Sequence, residues 1–263
     1  MNKNMGMIRI KRNIFILFVA IMIIAACSRQ AAEKSAQDNA AETSQSEENT
    51  TKMANIEGVN IEWSGQSSFA FRNDKIIYID PFNVKDIGKA DMIFITHGHY
   101  DHCSMADIQK IINPDTIIIT VPDCQSKLSN LKIANVTLVR PGDRLNIKGT
   151  EISVVPAYNI NKSFHPKENE WVGFIITING KRIYHAGDTD FIPEMKNLTN
   201  IDVALVPIGG TYTMGPAEAA NAVNEFRPKV AIPMHYGTVS GVGQKSDAEK
   251  FRSLAKVRVE ILG

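Results

Sequence analysis

Three of the chain's six histidines fall within six residues, in Thr96-His97-Gly98-His99-Tyr100-Asp101-His102. The run directly follows Asp91-Met-Ile-Phe-Ile-Thr96, the pattern of a buried strand. No packing reason places imidazoles at this spacing. A loop curling past the strand end can turn His97 and His99 to one point and Asp101 and His102 to a neighbouring one, with Gly98 permitting close backbone approach. Three imidazoles and a carboxylate suit a borderline divalent metal such as Zn²⁺. A fold built around such a loop must gather further ligands at the same strand ends, where loops from one sheet edge can converge.

Candidates for those ligands recur at strand ends. His165 lies in Ser163-Phe164-His165-Pro166-Lys167, Asp188 in His185-Ala186-Gly187-Asp188-Thr189, and His235 in Pro233-Met234-His235-Tyr236. Alternation and β-branched runs predict strands at 58–63, 68–72, 75–79, 91–96, 116–120, 135–140, 143–148, 151–156, 171–178, 181–185, 201–207, 229–233 and 257–261. Asn179-Gly180 marks a two-residue hairpin turn. Helices are expected from a Ser104 cap to about Ile112, at 123–131, from Pro216 to Phe226, and at 246–255. No repeat of fixed period is visible. Strand runs broken by occasional helices point to an α/β domain with sheet packed on sheet.

The T-H-x-H-x-D-H motif, with a downstream Gly187-Asp188-Thr189 and a late His235, resembles the metallo-β-lactamase superfamily. Trp63-Ser64-Gly65-Gln66-Ser67-Ser68-Phe69, Ile79-Asp80-Pro81-Phe82 and Pro207-Ile208-Gly209-Gly210 resemble its branch of ascorbate-6-phosphate lactonase-like hydrolases, a branch also similar to N-acyl phosphatidylethanolamine phospholipase D. The motifs span Trp63 to Tyr236. The resemblance implies a four-layer αββα sandwich, two mixed β-sheets flanked by helices, with two divalent metals at one sheet edge. It makes His97 and His99 ligands of a first metal, and Asp101, His102 and His235 ligands of a second. Asp188 would bridge the two, and Asp80 would support the loop from behind. One position departs from the pattern. Relatives carry a third first-metal histidine in Pro-Ala-x-His, and here the stretch is Pro156-Ala157-Tyr158-Asn159. His165 is expected to take that role; the alternatives are Asn159 as a weak ligand and a single-metal site. His185 reads as structural. Cys103 reads as a buried thiol, with a Cys103–Cys124 disulfide conceivable outside the cytoplasm. Tyr212 and Asn159 are candidate substrate contacts, and Lys162 and Lys167 could meet an anionic substrate.

The N-terminus reads as an address. Residues 1–12 are basic and 14–26 form an apolar run of thirteen, short for a span of ~20 but suited to a signal peptide. Ile24-Ala25-Ala26-Cys27 resembles a bacterial lipobox, which implies cleavage before Cys27 and lipidation of that residue. Residues 27–54 hold almost no apolar side chain larger than Ala and read as a flexible tether. The domain is then 55–263, anchored to the cell membrane and lying outside the cytoplasm. Loss of the four cations in residues 1–26 turns the net charge of +1 into −3, so nothing favours nucleic acid as a partner.

Two cations bridged by Asp188 would supply hydroxide at neutral pH, with Asp101 orienting the nucleophile. The expected function is therefore hydrolysis of an ester-type bond, phosphodiester or lactone first, in a small-molecule or lipid-like substrate. The donor set leaves Zn²⁺, Mn²⁺ and Fe²⁺ open. The rival from another class is a surface lipoprotein that holds a metal or solute for a transporter without turnover. Oligomeric state is not legible.

Overall fold

Two short turn sequences set the registers that the rest of the fold extends. Lys148-Gly149 and Asn179-Gly180 all have φ near +50° to +80°, as two-residue hairpin turns require. The first joins β8 (Arg144–Ile147) to β9 (Thr150–Pro156), and the second joins β10 (Val172–Ile178) to β11 (Lys181–His185). These strands begin one of two seven-stranded sheets in a computed structural model that describes residues 53–263 except 86, 130 and 132–134. The sheet continues through β12 (Val203–Pro207) and β13 (Val230–Met234) to β14 (Arg258–Val259). The other sheet runs β1 (Ala54–Ile56), β2 (Val59–Gly65), β3 (Ser68–Arg72), β4 (Ile76–Ile79), β5 (Met92–Phe94), β6 (Ile117–Thr120) and β7 (Asn135–Leu138).

The sheets share one buried core. Phe94 on β5 meets Phe174 on β10 edge-on at 5.1 Å, and Phe69 on β3 meets His185 on β11 at 5.9 Å. Among the described residues, four helices complete the layers: α1 (Met105–Ile111), α2 (Gln125–Leu128), α3 (Pro216–Phe226) and α4 (Lys245–Leu254). This is the metallo-β-lactamase sandwich that the motifs imply.

Each sheet follows the same rule. Its first three pairings are antiparallel and its last three parallel. The two halves of the chain therefore repeat a pairing scheme without repeating a sequence period. Parallel strands align their carboxyl ends, and ligands characteristically gather there. Asp80 follows β4, the histidine loop follows β5, Asp188 follows β11 and His235 follows β13.

Some elements differ from expectation. β1 pairs with β2 and draws Met53 and Ala54, read as the end of the tether, against the core. The helix expected at 123–131 shortens to a 3-10 turn at Pro122–Cys124 followed by α2. The last strand contracts to Arg258–Val259. Cys27 and the proposed signal and tether lie outside the described residues, apart from the tether's final two.

Candidate metal centre

Asp80 organises the loop from behind. It sits just past β4 with φ +46°, an unusual conformation for a non-glycine residue. Its Oδ1 accepts from the Thr96 backbone N–H at 2.7 Å. Its Oδ2 accepts from Thr96 Oγ1 at 2.7 Å and from His102 Nδ1 at 2.7 Å. Two tautomers follow. His102 carries its proton on Nδ1, leaving the Nε2 lone pair 3.4 Å from Asp188 Oδ2 and 3.7 Å from Asp101 Oδ2. Thr96 Oγ1 has already spent its proton on Asp80, so it accepts from His97 Nδ1 at 3.0 Å. That frees His97 Nε2, which lies 3.0 Å from His99 Nδ1.

The second sheet supplies the remaining ligands. Asp188 Oδ2 lies 2.9 Å from His235 Nε2 and 3.3 Å from His165 Nε2. His235 has φ +61°, and its backbone N–H donates to Gln66 O at 2.8 Å. Gln66 also fixes Asp101, donating from Nε2 to Oδ2 at 2.9 Å. Asn159, a candidate ligand and substrate contact, does not line the cavity that opens beside His99, His165 and Asp188. It is buried behind His165, with Nδ2 donating to Asp190 Oδ1 and Tyr212 O and with Oδ1 accepting from His165.

Three triads result, each with ligand atoms within 4.8 Å of one another: His97-His99-His165, His97-His102-Asp188, and Asp101-His102-His235. The structure thus brings together all seven sequence-derived ligands. His102 Nε2, His165 Nε2 and Asp188 Oδ1 are buried with no hydrogen-bond partner. Orphaned buried polar atoms are costly, and here they belong to imidazoles and a carboxylate at one point. The donor set fits divalent cations, and Asp188, in the triad that shares His97 with one neighbour and His102 with the other, fits a carboxylate between two of them.

Burial opposes a charge on His102, but Asp188 and Asp80 outweigh it and raise its pKa well above the usual imidazole range, favouring a second proton that a bound cation would displace. Burial holds His97 well below the usual imidazole range, with His102 adding to the effect. Burial, then His165, also lowers the pKa of His99. Both are thereby kept neutral, the state a metal requires. Burial opposes the charge on Asp188, but His102 and His235 outweigh it and hold the carboxyl well below its usual range.

The other candidates are placed as follows. His185 donates from Nε2 to Ser67 O at 2.9 Å and accepts from the Gly187 N–H at 3.2 Å, so both nitrogens serve the backbone. Cys103 and Cys124 are free buried thiols. Lys162 pairs with Asp190, and Lys167 with Glu194 at 3.2 Å. Tyr212 lines a cavity of about 320 Å³ that opens beside His99, Asp101, His165, Asp188 and His235. Trp171 escaped the sequence reading. Its indole tilts over His97 at 4.7 Å, meets His99 edge-on at 4.9 Å, and donates to Asp123 Oδ2 at 2.8 Å. Its one signal was a tryptophan opening the strand that follows the His165 loop. Gln66 lay within the Trp63–Phe69 motif, but nothing there marked it as the partner of Asp101.

Comparison with known proteins places this geometry among relatives. Residues 60–235 match the model of the β-lactamase superfamily domain. The chain is 34% identical over 219 residues to a UPF0173 metal-dependent hydrolase of Methanopyrus kandleri, covering 77% of this chain and 92% of the relative. It is 34% identical over 216 residues to another from Thermococcus kodakarensis, covering 78% and 95%. A crystal structure from Parabacteroides distasonis, described as a metal-dependent hydrolase, is similar with a TM-score of 0.69 and 32% identity, covering 80% of this chain and 96% of that one. A metallo hydrolase from Ignicoccus hospitalis is similar with a TM-score of 0.62 and 28% identity, covering 78% and 96%.

Proposed function

Since the chain belongs to the metallo-β-lactamase superfamily, within its UPF0173 family of metal-dependent hydrolases, we propose that it cleaves an ester-type bond, a lactone or a phosphodiester. The observation that supports this reading is the set of three triads joined through His97, His102 and Asp188 beside an open cavity. His97, His99 and His165 would hold one divalent cation, Asp101, His102 and His235 a second, and Asp188 both. Such ions, when bound, lower the pKa of water toward neutrality and stabilise the oxyanion that develops on an attacked carbonyl or phosphoryl group.

The chain's own residues have separate tasks. Asp80 and Thr96 fix the tautomers of His102 and His97, so that lone pairs rather than N–H groups face the centre. Gln66 anchors Asp101 through Oδ2, leaving Oδ1 to accept a proton from the attacking water. Trp171 covers the rings of His97 and His99 and limits water on that side. The donors are nitrogen and oxygen; Zn²⁺ is proposed, with Mn²⁺ and Fe²⁺ the alternatives.

Metal analysis of the purified chain should find about two divalent ions, and a panel of lactones and phosphodiesters should be turned over. Asp188→Ala should lose both metal and turnover. Metal retention with no turnover of any ester in the native chain would support the carrier reading instead.

Two finer assignments are proposed with it. The Trp63–Phe69 and Ile79–Phe82 motifs support the lactonase-like and phospholipase D-like branch. The lipobox at Cys27 supports a lipid-anchored protein outside the cytoplasm, and an intact Met1 in the mass of membrane-extracted chain would remove that assignment.

A further inference from the structure

Among the described residues, six large hydrophobic side chains are exposed, and three of them border the cavity at the metal centre: Tyr100 at 64%, Phe164 at 44% and Tyr212 at 37%. Single exposed apolar residues need no explanation, but a cluster at the mouth of a site does. Phe164 and Tyr212 meet edge-on at 4.7 Å, so they form one wall rather than two loose rings. Val239 and Val242 extend the apolar lining.

The charges complete the picture. Among the described residues the cavity lining includes no lysine or arginine, and its acidic side chains are Asp101 and Asp188. The lysines nearest in sequence to Phe164 are committed elsewhere, Lys162 to the buried Asp190 and Thr213 O, and Lys167 to Glu194 and Tyr158. Protein sites that select phosphoryl groups use arginine or lysine for the outer oxygens. None is offered here.

We propose, resting on the ester hydrolase reading above, that the substrate is a neutral carboxylic ester or lactone whose apolar alkyl or aryl substituent lies against Tyr100, Phe164, Tyr212, Val239 and Val242. The carbonyl faces the His and Asp side of the cavity and the substituent faces the aromatic side. Water oxygen bonds to the carbonyl carbon, the acyl C–O bond breaks, and the departing oxygen takes a proton. A lactone thus gives a hydroxy acid, and an open ester an acid and an alcohol. The volume of about 320 Å³ is small for a ligand cavity, which suits a substituent of several carbons over an extended lipid.

Two measurements test this. With the metal-loaded chain, kcat/KM for γ-alkyl lactones should rise by about fourfold per methylene until the cavity is filled, and should exceed that for bis(p-nitrophenyl) phosphate. In calorimetry, 2-alkanones from pentanone to nonanone, which cannot be hydrolysed, should bind more tightly by a similar factor per carbon. Phe164→Ser and Tyr212→Ser should each reduce the gain per carbon in both series. A flat ketone series, or a preference for the phosphodiester, overturns the proposal. Graded ketone binding without turnover of any ester would support the apolar subsite and overturn the ester hydrolase reading on which it rests.

Discussion

Asn159 Oδ1 accepts from both the backbone N–H of His165, at 3.0 Å, and its Nδ1, at 3.1 Å, while Tyr212 O lies 3.2 Å from the same ring nitrogen. Both neighbours of Nδ1 are acceptors, because Asn159 Nδ2 is spent as a donor on Asp190 and Tyr212. The imidazole proton therefore sits on Nδ1, and the Nε2 lone pair faces Asp188 at 3.3 Å. Asn159 thus orients the histidine proposed to ligate in its place. Asn159→Ala should weaken metal binding by about 10–100-fold while leaving the circular dichroism spectrum intact. His165→Ala should lose one of the bound ions by metal analysis. Native metal content in both variants would show His165 to be idle. The candidate ligands themselves were legible, since four fall in one heptapeptide, Asp188 and His235 follow strands, and His165 is the one histidine in its loop. Their supports were not. Asn159 reaches Asp190 across 31 residues and Tyr212 across 53, and Gln66 reaches Asp101 across 35, contacts that no local pattern encodes.

Helix α1 carries the loop's exit, and its cap is built around Asp107 in the first turn. Its Oδ2 accepts from Ser104 Oγ at 2.7 Å and the Asn83 N–H at 3.0 Å, and its Oδ1 from Lys110 at 2.8 Å. Burial raises the Asp107 pKa, but the bonds from Lys110, Ser104 and Asn83 outweigh it and hold the carboxyl below its ordinary 3.8. A depressed folded-state pKa gives stability that is complete above the unfolded value and is lost as pH falls through the folded one. Asp107→Ala should cost about 1–3 kcal/mol at neutral pH by leaving buried donors unpaired. The urea-midpoint gap between the native chain and the variant should narrow below about pH 4. A gap independent of pH would show that the carboxylate charge contributes nothing. At this scale the sequence was informative where local chemistry decides. Ser104 caps α1, Pro216 opens α3, and Asn179-Gly180 turns the β10–β11 hairpin. It was silent on β1, whose three residues are a strand only because β2 lies beside them. It overextended the helix at 123–131, where a 3-10 turn opens at Pro122.

The repeated pairing scheme has a consequence for the molecule as a unit. Each triad takes two ligands from the loop after β5, in the first sheet's half of the chain, and one from the second half: His165, Asp188 or His235. Hydrophobic periodicity reads which face of a strand is buried, not which neighbour it pairs with or in what direction, so this division could not be seen before the sheets were placed. Each cation would thus link the two sheets at the edge where their parallel strands end. A ligand that binds only the folded state stabilises it by RT ln(1 + [L]/Kd), about 4 kcal/mol at a thousandfold excess over Kd. For a domain of this size that is a Tm shift of roughly 8–16 °C. Chelation of the native chain should lower Tm by this order, and re-addition of Zn²⁺ should restore it. Asp188→Ala removes the carboxylate proposed to serve both ions, so it should cut the chelator response more than loss of either outer histidine. His165→Ala and His235→Ala should each keep part of the response, because each leaves the other triad intact. A native Tm indifferent to chelation, in protein shown to contain metal, would mean that the two halves are held by their shared apolar core alone.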